Sequence, residues 1–436
     1  MANVFQFKPF SRKQRKVLNW WTKDSPVKEY DGIIADGSIR SGKSISMSLS
    51  YVLWAMESFQ FQNFGMAGKT ISAFRRNVLV WLQLMLMSRG YTTEHKRADN
   101  MLIVRRKGVE NYFYIFGGKD ERSQDLIQGI TLAGMYFDEV ALMPESFVNQ
   151  ATGRCSVEGA KLWFNCNPAS PNHWFKTDWV DLHNEKNLLY LHFTMDDNLS
   201  LSEKVKSRYR SLYSGVFYDR YIRGLWALAE GLIYQNYAEA IKQPPERIPD
   251  DYALSIDYGT LNAFAVLLWA KYGDIWYAVD EYYYSGRDNG VQKTDQDYAE
   301  DLNRFIQPVK DWHQKKQENG YRYPLQITTI IDPSAASFIT LLQRNEVYAV
   351  EKAKNDVVDG IRETAVAMKT GLIKIAPTLD NLIMEMQGYV WDSKAKVEQP
   401  LKVNDHACDA MRYFVKTMGI TEVGNEEPYI PLWNII

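Results

Sequence analysis

The sequence has little of what disulfide-stapled or membrane-spanning proteins depend on. Three cysteines, Cys155, Cys166 and Cys408, stand in 436 residues. They are too few for a disulfide scaffold and lack a paired zinc-ligand spacing, which suits a reducing cytoplasm. No uncharged apolar run reaches the roughly 18 residues of a spanning helix, so no membrane partner is expected. The first residues place Arg12, Lys13, Arg15 and Lys16 just after Phe10, without the apolar stretch of a secretory leader. Repeats and low-complexity tracts are missing too. What is present is an ordinary globular composition, 46% hydrophobic and 24% charged, which excludes a disordered tail. The length suggests two or three domains.

The net charge of -2 hides an asymmetry. Residues 1–245 carry 31 Lys and Arg against 24 Asp and Glu, and the remainder carries 20 against 29. Solvated surface explains this as well as function does. The functional reading is a basic half facing phosphates and an acidic half gathering carboxylates for metal.

Short apolar runs alternate with helical stretches in the first half. Ile33–Ala35, Met101–Arg105, Tyr112–Phe116, Gly134–Phe137 and Lys161–Asn165 read as strands, Ser44–Phe59 and Thr70–Met87 as helices. That alternation predicts a parallel α/β sheet. Gln243-Pro244-Pro245-Glu246-Arg247-Ile248-Pro249 breaks every regular element and marks a domain boundary. Beyond it, Tyr252–Asp257 and Gln326–Ile331 read as strands, and Ala263–Ala270 and Asp274–Tyr283 as a hairpin around Lys271-Tyr272-Gly273. Helices are expected at Asp356–Lys369, Leu379–Gly388 and Asn404–Met418. The polar segment Arg287–Tyr323 is an insertion or a surface helix.

Gly37-Ser38-Ile39-Arg40-Ser41-Gly42-Lys43-Ser44 fits G-x-x-x-x-G-K-[ST] in full, after a strand and before a helix. The glycines let backbone N–H groups close on phosphate oxygens at the positive end of the helix. Lys43 would reach the β- and γ-phosphates of ATP and the Ser44 hydroxyl would ligate Mg²⁺. The apolar run Leu132–Phe137 ends in Asp138 and Glu139. Asp138 would hold the Mg²⁺ through water, and Glu139 would deprotonate the attacking water, the mark of a hydrolase. Four further positions have two readings each. Arg40 contacts the γ-phosphate or serves simple phosphate or surface roles. Asn165 and Asn167 sense that phosphate or belong to an ordinary Asn-Pro turn with Pro168. Gln14 brackets an adenine edge or sits on a plain amphipathic helix. Arg122 is the weakest candidate for an arginine finger.

In the second half, Asp257 ends Ser255-Ile256-Asp257 and Asp332 ends Ile330-Ile331-Asp332. An acid inside an apolar strand is costly without a cation or partner. Asn404–Tyr413 has helical character, so His406 and Asp409 share a face, as do Asp405 and Asp409. Two strand-end acids and one on a later helix can surround one or two divalent ions, which stabilise both oxygens of a phosphodiester displacement. Oxygen ligands suit Mg²⁺ or Mn²⁺ rather than zinc. Glu281 adds a ligand or faces solvent. Strand Asp, apolar hairpin, strand Asp, helix Asp is an order that suits a ribonuclease-H-like nuclease fold.

On Gly37–Ser44, Met135–Glu139, Asn165–Pro168, Ser255–Gly259, Ile331–Ser334 and Asn404–Tyr413, the whole chain resembles the large terminase subunit of tailed bacteriophages. Asn404-Asp405-His406, followed by Asp409-Ala410 and Arg412-Tyr413, is the most discriminating element, because ordinary P-loop ATPases lack it. The resemblance implies an N-terminal P-loop ATPase with a parallel sheet (residues 1–195), a linking subdomain (196–245) and a C-terminal ribonuclease-H-like nuclease with a mixed sheet (246–436). It implies ATP-driven translocation of double-stranded DNA into the procapsid through the portal, and metal-dependent cutting of concatemers. Lys43, Ser44, Asp138 and Glu139 take the ATPase roles; Asp257, Asp332 and Asp409 hold metal, with His406 beside them. It further implies a small terminase subunit and the portal as partners, a homo-oligomeric ring, and action in the host cytoplasm outside the mature virion. One departure stands out: Gln128-Gly129 occupies the place of the family's trans-acting arginine. A P-loop helicase or repair ATPase with a non-cleaving second domain is the alternative, as is a nonhydrolysing nucleotide-binding virion protein.

Overall fold

Gly32–Gly37 is buried at every position, as a strand covered on both faces must be. In the computed structural model, which describes residues 8–259, 262–392, 395 and 398–421, it is β1 of an eight-stranded sheet. The other strands are β2 (Asn63–Gly68), β3 (Thr92–Lys96), β4 (Met101–Arg106), β5 (Val109–Gly117), β6 (Gly134–Phe137), β7 (Lys161–Asn165) and β8 (Leu188–Phe193), in the order β3-β4-β5-β2-β6-β7-β1-β8. From β5 to β8 all neighbours are parallel. The strand ends Gly37, Phe137 and Asn165 therefore lie along one edge, where open α/β sheets bind ligands.

The edge strands depart from the all-parallel expectation. β3, β4 and β5 run antiparallel. Arg106 pairs with Val109, so Lys107-Gly108 is a two-residue hairpin loop, with φ of 48° and 84°. Positive φ at both positions is what the right-handed twist of a tight hairpin demands. β2, β3 and β8 carried no clear signal: Asn63-Phe64-Gly65-Met66-Ala67-Gly68 is poor in β-formers, and burial between β5 and β6 overrides that propensity. Helix Lys43–Ser58 lies one residue from the expected Ser44–Phe59. Its Tyr51 and Trp54 pack on Trp163 of β7. The expected helix Thr70–Met87 is capped by Thr70, and a wide turn at Arg75–Leu79 divides it.

The second sheet contains β9 (Asp251–Asp257), β10 (Ala263–Tyr272), β11 (Ile275–Ser285), β12 (Ile327–Ile331), β13 (Tyr348–Lys352) and β14 (Ile373–Ile375), in the order β13-β12-β9-β10-β11-β14. β9, β10 and β11 form an antiparallel meander. β12 and β13 add in parallel on one side and β14 on the other, which makes the sheet mixed. The segment Arg287–Tyr323 contains helices Asp295–Phe305 and Gln307–Glu318. Their Tyr298, Leu302, Ile306 and Val309 enter the core with Leu254 and Phe264. The apolar stripe is narrow, so the charged positions around it dominate the composition. On the other helix-bearing side, His406–Met418 stacks Phe414 on Trp269, ring centroids 4.0 Å apart.

The chain divides into two compact units. One runs to Ser211 and takes Gly215–Leu228; the other takes Leu212–Ser214 and continues from Ala229. The division thus precedes the proline-rich segment 243–249, and residues 196–245 are shared between the units.

Candidate active sites

The loop between β1 and helix Lys43–Ser58 turns through two left-handed residues, Arg40 at φ 56° and Gly42 at φ 81°. The Lys43 ammonium is satisfied within the loop and its surroundings. It donates to the carbonyls of Gly37 (3.0 Å) and Ser38 (2.6 Å), to Ser41 Oγ (3.2 Å) and to Asn167 Oδ1 (3.2 Å). Burial lowers its pKa to about 8, against the pull of Cys166, Asp36, Asp138 and Glu139. Ser41 Oγ also donates to Ser38 O.

Asn165, at the end of β7, ties the site together. Its amide nitrogen donates to Asp138 Oδ1 (2.6 Å), Ser44 Oγ (3.2 Å) and Tyr136 OH (3.0 Å), while its oxygen accepts from the Glu139 backbone N–H (3.3 Å). Asp138 Oδ1 also accepts from Tyr136 OH at 2.7 Å. Burial, and then the Asp138 charge, raise the Tyr136 pKa well above its ordinary value, so this phenol stays a donor. Glu139 adopts φ 59°, ψ 48°, a conformation that costs a non-glycine residue on the order of 1 kcal/mol and persists where the surroundings enforce it. The strain turns the chain just as it leaves β6. Ser44, Asp138 and Glu139 thus converge beside Lys43, in an arrangement that can hold Mg²⁺ and a triphosphate.

The less secure positions separate. Gln14 is buried, caps its own helix by accepting from Ser11 N (2.9 Å), and lies so close to Gly42 that a Cβ there would stand 2.3 Å from its Nε2. It abuts the phosphate loop. Arg40 is exposed with its guanidinium over the Tyr209 ring at 5.4 Å. Arg122 lies elsewhere, in an open cleft of about 630 Å³ beyond the ends of β2 and β5, together with Lys69, Arg75 and Lys119.

In the second unit, Ile331 pairs with Ile256 in the parallel register of β12 and β9, and Asp332 N donates to Ile256 O. Asp257 and Asp332 therefore emerge side by side. Helix His406–Met418 packs over them: His406 Nδ1 lies 2.8 Å from Asp257 Oδ2, and Tyr413 OH donates to Asp332 Oδ2 at 2.7 Å. Burial raises the Asp257 pKa, opposed by His406 and reinforced by the charges of Asp409 and Asp332. Burial works against the His406 charge, yet the contacts with Asp257 outweigh it and raise the His406 pKa. Asp409 instead meets cations, Arg412 at 3.0 Å and Lys402 at 3.3 Å. Among the described residues no three His, Cys, Asp or Glu side chains stand at metal-ligating spacing. The donor chemistry fits Mg²⁺ or Mn²⁺, but each carboxylate is engaged with a protein donor.

Known proteins match nearly the whole chain. Residues 34–241 match the family described as terminase large subunit, T4likevirus-type, N-terminal. Over 357 residues the chain is 26% identical to the large terminase subunit of Escherichia phage T5, spanning 76% of this chain and 75% of that one. The large terminase of a thermophilic bacteriophage is 57% identical, with a TM-score of 0.87 over 94% of this chain and 99% of that one. The chain belongs to the large terminase family. A structure of the same thermophilic phage's large terminase in complex with ATP-γ-S is 56% identical, with a TM-score of 0.83 over 93% of this chain and 98% of that one. As a large terminase subunit the protein is a phage DNA-packaging motor.

Several residues that shape this terminase's sites gave no signal in the sequence. Glu385 is buried and accepts from the N–H groups of Ala407 (2.7 Å) and Cys408 (3.0 Å), capping the helix that carries His406 and Asp409. Lys402 also bonds Asp405 Oδ2 at 3.0 Å, so Asp405 serves as that lysine's partner. Glu281 is half-buried, accepts from Asn381 N (2.7 Å) and Leu382 N (3.0 Å), and caps helix Asp380–Gly388. Only an acid at a helix start is visible in sequence; these caps come from distant segments.

Proposed function

We propose that ATP hydrolysis is carried out by the loop Gly37–Ser44 with Asp138, Glu139 and Asn165. Backbone N–H groups of Gly37, Ser41 and Gly42 would cradle the phosphates, the Ser38 N–H being held by Phe193 O at 2.9 Å, and Lys43 would exchange the Gly37 and Ser38 carbonyls for phosphate oxygens. Ser44 and Asp138 would hold Mg²⁺, which supplies charge neutralisation on the phosphates. Glu139 would accept the proton of the attacking water. Gln14 would meet the adenine edge, and Arg40 would leave Tyr209 for the γ-phosphate. The observation that carries this reading is the Asn165 amide, which bonds Ser44, Asp138 and the Glu139 backbone at once.

The DNA-cutting centre is proposed at Asp257, Asp332 and Asp409, holding Mg²⁺ or Mn²⁺, with His406 orienting Asp257. Two ions would stabilise the attacking and leaving oxygens of the phosphodiester. The register of β12 against β9 supports this, because it sets two acids side by side under a third-acid helix. DNA contact runs through Lys and Arg to phosphates, since a translocating motor cannot depend on base identity. Residues 196–245 act as the linking subdomain whose rotation couples ATP turnover to DNA movement. The small terminase subunit, the portal and a ring of copies are the partners, met in the host cytoplasm at the procapsid. The test measures ATP turnover and Mn²⁺-dependent plasmid cleavage in the full chain and in Lys43→Ala and Asp257→Ala. Each variant is expected to lose one activity alone; joint loss in a folded variant would overturn the assignment of two independent centres.

A further inference from the structure

Asp36 is the last strand residue before Gly37 and is wholly buried. A buried carboxylate at the base of a phosphate site works against phosphate binding by like-charge repulsion, and it is costly unless its oxygens are bonded. Here both are. Oδ1 meets Tyr190 OH (2.9 Å) and His192 Nδ1 (3.0 Å); Oδ2 accepts from Trp226 Nε1 at 2.7 Å and from Tyr190 OH at 3.0 Å. Tyr190 and His192 belong to β8, paired with β1 in register. Trp226 belongs to the segment that follows helix Glu203–Leu212.

That segment touches the phosphate loop a second and a third time. Ile39 N donates to Tyr221 O at 2.9 Å. Gly224, at φ 74°, approaches so closely that a Cβ would stand 2.7 Å from Ser38 N and 2.9 Å from Gly37 Cα. Residues 217–226 therefore form a strap across the first half of the loop, pinned by Asp36. The same Gly37 and Ser38 whose carbonyls hold Lys43 lie beneath it. Phosphate arriving in the loop would draw Lys43 off those carbonyls, directly beneath the strap that is bonded to Ile39 and Asp36.

We propose that Asp36 is a positioning residue that couples nucleotide occupancy of the loop to the strap 217–226 through Trp226. This deepens the reading of Gly37–Ser44 as the ATP site and rests on it. Asp36→Asn turns an acceptor into an amide donor that opposes the Tyr190 and Trp226 donors; Trp226→Phe keeps an aromatic ring and removes the N–H together with the rest of the indole.

The experiment is hydrogen exchange on the full chain with and without Mg²⁺ and ATP-γ-S, followed at the Ile39 and Leu225 amides, with nucleotide affinity, unfolding temperature and DNA-stimulated ATP turnover measured alongside. In the wild type, bound ATP-γ-S should change exchange at 217–226 by at least about fivefold, the scale of a coupling free energy. Both variants should bind ATP-γ-S within about threefold of wild type, lose the exchange response, and lose about tenfold in DNA-stimulated turnover while keeping unstimulated turnover. An unchanged wild-type strap with nucleotide bound overturns the coupling alone. So does a wild-type exchange response in either variant, or a fall in affinity that merely tracks a fall in unfolding temperature. Failure of the wild type to bind ATP-γ-S at all removes the ATP-site reading and this inference with it.

Discussion

The two phosphate centres proposed for this terminase are built on opposite plans. The first is largely one run of eight residues whose backbone would do the binding, and its lysine is bonded to the loop's own carbonyls. The second has no such run. Its acids come from β9, the end of β12 and a helix about 75 to 150 positions later in the sequence, and each is held by a different donor: His406, Tyr413, Arg412 and Lys402. A positive site can be made from peptide N–H groups, which nearly every residue carries. A negative site needs carboxylates, which repel one another and must be held in place by neighbours. Contiguity in one and dispersal in the other follow from that difference.

Severing the two centres would break the comparison most sharply. Lys43→Ala should lower ATP turnover by at least about a thousandfold while leaving Mn²⁺-dependent cleavage intact. Asp257→Ala should do the reverse, by a similar factor, in plasmid cleavage and ATPase assays on the same preparations. Loss of both activities in either variant, with the fold retained by circular dichroism, would show that the centres are not separable. Glu139→Gln should reduce turnover about a hundredfold or more with nucleotide affinity kept, since the amide holds the geometry but cannot take the proton. Unchanged turnover would remove Glu139 from the chemistry.

A titration sharpens the contrast further. Lys43 is held down to about 8 by burial, against an ordinary 10.5. Between these values the unfolded chain keeps a proton that the folded chain has lost, so nucleotide-free stability rises with pH through that window. Phosphate needs the ammonium, so ATP-γ-S affinity should fall by up to about tenfold per pH unit above 8. A flat affinity from pH 7 to 10 would contradict the buried-lysine geometry. The smallest effect is expected at Glu281→Ala, which should cost about 1 kcal/mol in denaturant unfolding as a lost helix cap and leave cleavage unchanged. A loss of cleavage at full stability would return Glu281 to the metal-binding acids.

Much of this was legible beforehand, for identifiable reasons. The phosphate loop needs a fixed spacing of glycines, so Gly37 to Ser44 can be read directly, and the strands at β1, β6 and β7 are apolar because both faces are covered. The helices Asp295–Phe305 and Gln307–Glu318 are legible only as an insertion or a surface helix, because their apolar stripe is narrow. The Lys107-Gly108 turn makes β4 and β5 an antiparallel hairpin, though their apolar patterns suit either orientation. Asn165 was visible as a polar strand end; its threefold amide role was not.

Local sequence alone determined the loop's turn chemistry, the apolar strands that carry the acids outward, and the helical spacing of His406 and Asp409, because these depend on residues within a few positions of one another. Only tertiary structure decided that Asp332 lies beside Asp257, that Glu385 caps the helix above them, and that Trp226 reaches back to Asp36. Those pairings span tens to hundreds of residues, and strand register together with the need to satisfy buried charges selects them.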